Sequence, residues 1–282
     1  MNQAAWDEIR AKYTTETGEP LPGVPSNFHT HTTFCDGENT PEDLAAEALH
    51  LGCPALGFSG HSYTRFDSTY CMSLEGTQEY CRRVRALKAQ YAGRLQVYLG
   101  VEQDFYSDAP TDEYDYVIGS VHYLKRDGHY LTVDHSREWL LRDVERHYGG
   151  DVYAYIEHYY DTAAQLYERT GCQIVGHFDL VTKFIEQGEL FDTNHPRYRA
   201  AVLRALDRLC RHDVVFEINT GAIARGLRTS PYPEAWIREE IRARGKRFLR
   251  NSDCHKKELL LRGRQGRQPT ASAGQANPSA ID

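Results

Sequence analysis

Asn27-Phe28-His29-Thr30-His31-Thr32-Thr33-Phe34-Cys35-Asp36-Gly37 reads as a short strand that runs straight into a loop of metal-ligand side chains. In a strand, alternate residues share a face, so the spacing would put the imidazoles of His29 and His31 side by side. Six further stretches repeat the pattern of a strand closing on a metal-ligand type: Phe58-Ser59-Gly60-His61, Gly100-Val101-Glu102, Gly119-Ser120-Val121-His122, Val175-Gly176-His177, Phe216-Glu217-Ile218-Asn219 and Asn251-Ser252-Asp253-Cys254-His255. A barrel enzyme that gathers ions at the C-terminal mouth of its strands needs this recurrence. Imidazole and carboxylate donors suit zinc, iron or manganese, so the pattern points to metal-assisted chemistry.

Between these stretches the periodicity turns helical, and βα alternation predicts a parallel sheet or barrel. Thr40-Pro41-Glu42-Asp43 carries an N-cap hydroxyl, a proline at the first helical position and a carboxylate three residues after the cap, ahead of a run that stops at Gly52. Further helices are expected over 77–91, 136–147, 152–168, 197–211 and 233–244, and the opening segment to about Pro25 reads as a helix followed by a loop. Strand cores such as Leu95-Gln96-Val97-Tyr98-Leu99 and Tyr116-Val117-Ile118 are apolar and β-branched or aromatic, as buried strands are. The expected organisation is one barrel domain over 1–261 and a disordered tail over 262–282, where the sequence turns to Arg, Gly, Gln, Ala, Ser and Pro.

A formal charge of −7 gives no broad basic surface for nucleic-acid backbone, and a small charged substrate fits better than a long polyanion. The seven cysteines are scattered without a Cys-x-x-Cys pair, which argues against a disulfide framework or a thiolate zinc knuckle. No stretch is apolar enough to span a bilayer, and the first residues lack a signal-peptide pattern. A cytoplasmic protein with no membrane partner is the resulting expectation.

The series of a His-x-His opening, a later His, a Glu, two more His and a closing Asp-x-His resembles the PHP (polymerase and histidinol phosphatase) superfamily, and the wording from Asn27 to Gly37 is similar to its histidinol-phosphatase branch. The resemblance spans Asn27 to His255 and implies a distorted (β/α)7 TIM-like barrel, in keeping with the seven strands counted. It also implies three divalent ions (zinc, iron or manganese): the first held by His29, His31, Glu102 and Asp253, the second by Glu102, His122 and His177, the third by Asp36, His61 and His255. Glu102 would bridge two ions and Asp253 would handle protons. The implied reaction is hydrolysis of L-histidinol phosphate in histidine biosynthesis. A PHP-type phosphoesterase acting on nucleotides or oligonucleotide ends is the alternative enzyme, and a non-catalytic metal-binding PHP domain the alternative outside catalysis.

Arg225, in the loop after Glu217-Ile218-Asn219, is the expected phosphate contact, because a planar guanidinium gives two charge-assisted hydrogen bonds; Arg228 lies close by. Lys183 is a second candidate. Tyr63, Tyr106 and Tyr123 follow ligand motifs and could form the rim of the site. Of the thirteen histidines, His50, His129, His135, His147, His195 and His212 are read as ordinary surface or core residues, His158 as packing and Cys254 as a buried structural thiol.

Overall fold

The computed structural model describes residues 2–19 and 24–262. Strands β1 (Ser26–Asn27), β2 (Ala55–Phe58), β3 (Gln96–Asp104) and β4 (Tyr116–Ser120) pair in parallel in that order. The sheet continues through β7 (Ile174–Val175), β8 (Val215–Asn219) and β9 (Phe248–Asn251), again all parallel. The two edges meet beyond the strands themselves: the His31 N–H donates to the Cys254 carbonyl (2.8 Å) and the Cys254 N–H to that of His29 (2.9 Å). The result is a nearly closed seven-stranded barrel, as the strand count predicted.

Each barrel strand divides its residues between two cores. Outward residues such as Val97, Leu99 and Val101 pack beneath the surrounding helices, which include α2 (Pro41–His50), α3 (Leu74–Gln90), α5 (Val152–Ala163) and α7 (Pro196–Leu209). Inward residues Phe28, Ala55, Tyr98, Tyr116, Ile118, Ile174, Val215 and Leu249 fill the lower barrel, and α1 (Gln3–Tyr13) closes that end with Ala5, Trp6 and Ile9. The Tyr116 hydroxyl donates to the carbonyls of Phe28 (2.6 Å) and Phe58 (2.9 Å), pinning the top of β1 and β2 from inside. Gly100 makes room for that ring: a Cβ there would lie 2.2 Å from the Tyr116 ring carbon that bears the hydroxyl. Gly100→Ala is therefore expected to cost ~1–3 kcal/mol of stability by overpacking, read as a lower urea midpoint at unchanged slope. A midpoint equal to that of the parent would contradict it.

The α2 N-terminus has the expected capping box, with Thr40 and Asp43 each bonded to the other's backbone N–H. Other boundaries move. The third helix starts at Leu74 because Ser73 is its N-cap. The expected helix over 152–168 breaks after Ala163, where the Gln165 N–H reaches only three residues back, to Thr162 (3.0 Å); it resumes as α6 (Leu166–Thr170). A hairpin that sequence reading missed, β5 (Tyr123–Arg126) and β6 (His129–Thr132), follows β4 and leads into α4 (Arg137–Tyr148). Asp127 (φ 50°) and Gly128 (φ 81°) make its two-residue turn, a signal legible in the Asp-Gly dipeptide. Two short elements complete the set, α8 (Gly221–Ala224) and α9 (Ala235–Ala243). Among the described residues no helix is long and apolar enough to cross a membrane. The tail expected over 262–282 lies, from 263 onward, outside the described residues.

Candidate metal centre

Along the barrel wall the inward side chains change from apolar to polar as each strand climbs: Tyr98, Gly100 and Glu102 on β3, Val215, Glu217 and Asn219 on β8, Leu249 and Asn251 on β9. A strand's two-residue period thus lifts a carboxylate from the same row as the core. Just past the strand ends the chain delivers His29 and His31, His61, His122, His177, then Asp253 and His255. Asp253 has φ 49°, a left-handed conformation that Asp tolerates better than most residues.

The nine residues expected to bind ions converge. Glu102, fully buried, lies at the centre: its Oε2 is 3.1 Å from His29 Nε2, 3.6 Å from His31 Nε2 and 3.0 Å from His61 Nδ1. Its Oε1 is 2.9 Å from His177 Nε2 and 3.4 Å from His122 Nε2. Asp253 Oδ1 is 3.2 Å from His31 Nε2 and 3.7 Å from His29 Nε2. Asp36 gathers a second set, with His255 Nε2 at 3.2 Å and His31 Nδ1 and His61 Nε2 each at 3.6 Å. Donors about 2.0–2.1 Å from a shared tetrahedral ion stand about 3.3 Å from one another, which is the spacing here.

Unpaired atoms add to the fit. His29 Nε2, His31 Nε2 and Glu102 Oε2 are buried, face one another and have no hydrogen-bond partner in the protein. Burying polar atoms without partners is costly unless something else engages them. Burial, with His255 and His61 nearby, pushes the His31 imidazole down to about 3, so the ring stays neutral with one nitrogen lone pair free for an ion. The donor set therefore fits divalent metal. The grouping cuts across the implied three-way partition: His31 and His61 each face both the Glu102 set and the Asp36 set, and Glu102 falls with His29 and His177 on one side and with His61 and His122 on the other.

Glu217 sits one layer below, and reading the sequence gave it no role beyond ending a strand. It accepts four hydrogen bonds, from His29 Nδ1 (2.7 Å), the His177 N–H (2.9 Å), Asn219 Nδ2 (3.0 Å) and Asn251 Nδ2 (2.9 Å). A neutral His29 ring that donates its Nδ1–H to Glu217 has its lone pair on Nε2, the atom that faces Glu102. Asp104 stands similarly behind His122, taking the His122 N–H at 3.1 Å with its Oδ2 3.3 Å from the ring Nδ1.

A cavity of about 430 Å³ opens from this cluster. Arg225 lines it, its Nη2 3.2 Å from Asp253 Oδ2; burial would raise the Asp253 carboxyl, but Arg225 and then His29 hold it well below the usual carboxylate range. Arg228 turns the other way, into the core, where its guanidinium bonds to Thr182 and Ser230. Lys183 reaches the cavity with its charge already paired, donating to the backbone oxygen (2.8 Å) and Oδ2 (2.9 Å) of Asp134. Of the three rim tyrosines only Tyr123 lines the cavity; Tyr70 takes the place expected for Tyr63 and Tyr106, whose hydroxyl instead caps the Lys125 N–H behind the hairpin. His135, read as ordinary surface, lies on the rim. His158 packs as expected, bonded to the Tyr148 hydroxyl, and Cys254 is a buried thiol that burial pushes up to about 12.

The PHP domain family model matches residues 27–221. A Deinococcus radiodurans protein named "Probable histidinol-phosphatase" is 32% identical over 242 residues, 80% of this chain and 85% of that protein. The Bacillus subtilis protein named "Histidinol-phosphatase" is 28% identical over 251 residues, 80% of this chain and 92% of its own. A solved structure from Listeria monocytogenes superposes with TM-score 0.74 at 22% identity over 85% of this chain and 98% of that one. A histidinol phosphate phosphatase from Lactococcus lactis, solved with zinc, L-histidinol and phosphate, has TM-score 0.58 at 18% identity over 82% and 86%. With its ligand series set in order around the barrel mouth, the chain belongs to the PHP domain family, in the histidinol-phosphatase branch.

Proposed function

We propose that this protein is a histidinol-phosphatase, a phosphoric monoester hydrolase that converts L-histidinol phosphate to L-histidinol and phosphate with divalent metal, as a step of histidine biosynthesis. The observation that carries the reading is the unbroken set of nine His, Asp and Glu donors, Glu102 and eight others, in a chain whose named relatives are histidinol-phosphatases over four-fifths of its length. Three ions of zinc, iron or manganese are the proposed complement, with His29, His31, Asp36, His61, Glu102, His122, His177, Asp253 and His255 as ligands. We read residues 1–261 as the single domain that carries them.

When bound, such ions supply Lewis acidity toward a phosphoryl group and activate water for attack. The chain's own side chains supply the rest. Arg225 stands over Asp253 and His255 with N–H groups left to donate to phosphoryl oxygens, and it stays charged throughout. Asp253, held ionised beside it, has no proton to give. Lys183 contributes less, because Asp134 already neutralises it at short range. The cavity is of a size for a small molecule, which favours a free phosphomonoester over an oligonucleotide.

The test is phosphate release from L-histidinol phosphate by the manganese-loaded protein, beside a mononucleotide and a His29→Ala/His31→Ala control. Turnover of histidinol phosphate that the control lacks supports the reading. Preference for the nucleotide would replace the substrate, and a folded, metal-bound protein without turnover on either would point to a non-catalytic domain.

A further inference from the structure

The cavity has two chemically distinct ends. One holds the ligand cluster and Arg225; the other is built from Asp67, Thr69, Tyr70, Tyr123 and Thr132, contributed by the loop after β2 and by the hairpin β5–β6. Five carboxylates line the whole cavity, and four are committed. Glu102 and Asp36 sit among imidazoles, Asp253 faces Arg225 as well as His29 and His31, and Asp134 is paired with Lys183. Asp67 is the fifth, and among the described residues no Lys or Arg pairs with it.

The Asp67 carboxylate is held rigidly all the same. Its Oδ1 accepts from the Thr69 N–H (2.9 Å) and Thr69 Oγ1 (2.6 Å), and its Oδ2 from the Tyr123 hydroxyl (2.5 Å). A carboxylate can accept about four hydrogen bonds, so one position on Oδ2 is left. Two further hydroxyls stand on the same wall: Thr132 Oγ1, buried and without a hydrogen bond within the protein, and that of Tyr70, which lies beside Thr64 and Tyr123. The Tyr70 ring also sets the distance between the ends, packing edge-on against His61 (4.8 Å between centroids) on one side and lying 6.0 Å from the Tyr123 ring on the other.

We propose that Asp67 is the subsite for the substrate's cationic nitrogen, the primary ammonium group of an amino-alcohol phosphate, with the Tyr70 and Thr132 hydroxyls completing the pocket for its polar side chain. The assignment rests on the substrate reading above. It makes Asp67 a specificity residue: it selects phosphomonoesters that carry a cation and leaves the phosphate end untouched. Asp134 cannot substitute, because Lys183 occupies it.

The test divides the product into its halves. In manganese-loaded enzyme turning over L-histidinol phosphate, inhibition constants are measured for L-histidinol and for inorganic phosphate, in the parent and in Asp67→Asn, a variant of the same shape without the charge. The L-histidinol constant is expected to rise about tenfold to a hundredfold relative to the phosphate constant, the loss of one charge-assisted hydrogen bond. Tyr123→Phe, which frees the carboxylate from its anchor, should move the same ratio severalfold in the same direction and serves if Asp67→Asn does not fold. Constants that rise together, a ratio that stays put, or L-histidinol that does not inhibit the parent would each overturn the subsite. A parent that hydrolyses other phosphomonoesters but not histidinol phosphate would overturn the substrate reading itself, a distinguishable failure.

Discussion

Glu102→Gln is expected to lower phosphate release by on the order of 10³-fold and to reduce the bound metal found by elemental analysis, in a protein that still folds. The argument is one of donors and charge. One carboxylate faces the nitrogens of His29, His31, His61, His122 and His177 at 2.9–3.6 Å, offering oxygen on both sides. An amide offers oxygen on one side only and turns an N–H₂ toward the other, where it meets either an imidazole nitrogen or an ion. The removed charge is also the one that offsets bound cations in a fully buried place. The Ser120 hydroxyl, which donates to Glu102 Oε1 at 2.6 Å, would be left facing a donor if the amide nitrogen took that side. Glu102→Gln with parental metal content and more than a tenth of parental turnover would show that the centre does not depend on this bridge.

The barrel and the side chains that converge at its mouth were legible because both obey short-range rules. Strand periodicity set Glu102 on the inward row above Tyr98, and the His, Asp and Glu residues at strand ends stood out in local words such as His29-Thr30-His31. The strand at that first word is nevertheless only two residues long, and His29 and His31 are held instead by the backbone exchange with Cys254 that closes the barrel. That contact joins the two ends of the barrel sequence, so no local pattern announces it. Glu217 was missed for the same reason, since its bond to His29 crosses 188 positions. The sequence put Arg225 forward with Arg228 three residues away, and what separates the two is packing: Thr182, Ser230 and the Tyr232 ring hold Arg228 in the core while Arg225 lines the cavity. The hairpin is a different kind of miss. Asp127-Gly128 carried its signal, and the hairpin matters to function because Tyr123 at its base and Thr132 at its end form the pocket wall opposite the ions.

Glu217→Gln is expected to weaken metal binding about 10- to 100-fold, with turnover falling in step at limiting metal and recovering as metal is raised. All four of the groups around Glu217 are donors, and three of them cannot reverse their role. The Asn219 amide oxygen is committed to the Gly221 N–H (2.8 Å) and that of Asn251 to the Phe28 N–H (2.9 Å), so neither amide can flip, and the His177 contact is a backbone N–H. A glutamine can satisfy at most the donors on its oxygen side; its nitrogen must oppose the remainder. If that nitrogen faces His29, the ring either loses its Nδ1 partner or shifts its proton to Nε2, the atom needed for the ion. The layer below the cluster thus sets which nitrogen of His29 is free, and it does so with Glu217 and Asn219 of β8 and Asn251 of β9, none of which lines the cavity. Competition with a chelator reads the affinity directly, and recovery of turnover with added metal separates a lost ligand orientation from a damaged fold. Unchanged affinity in Glu217→Gln would mean that the barrel, rather than this carboxylate, holds the His29 ring in place.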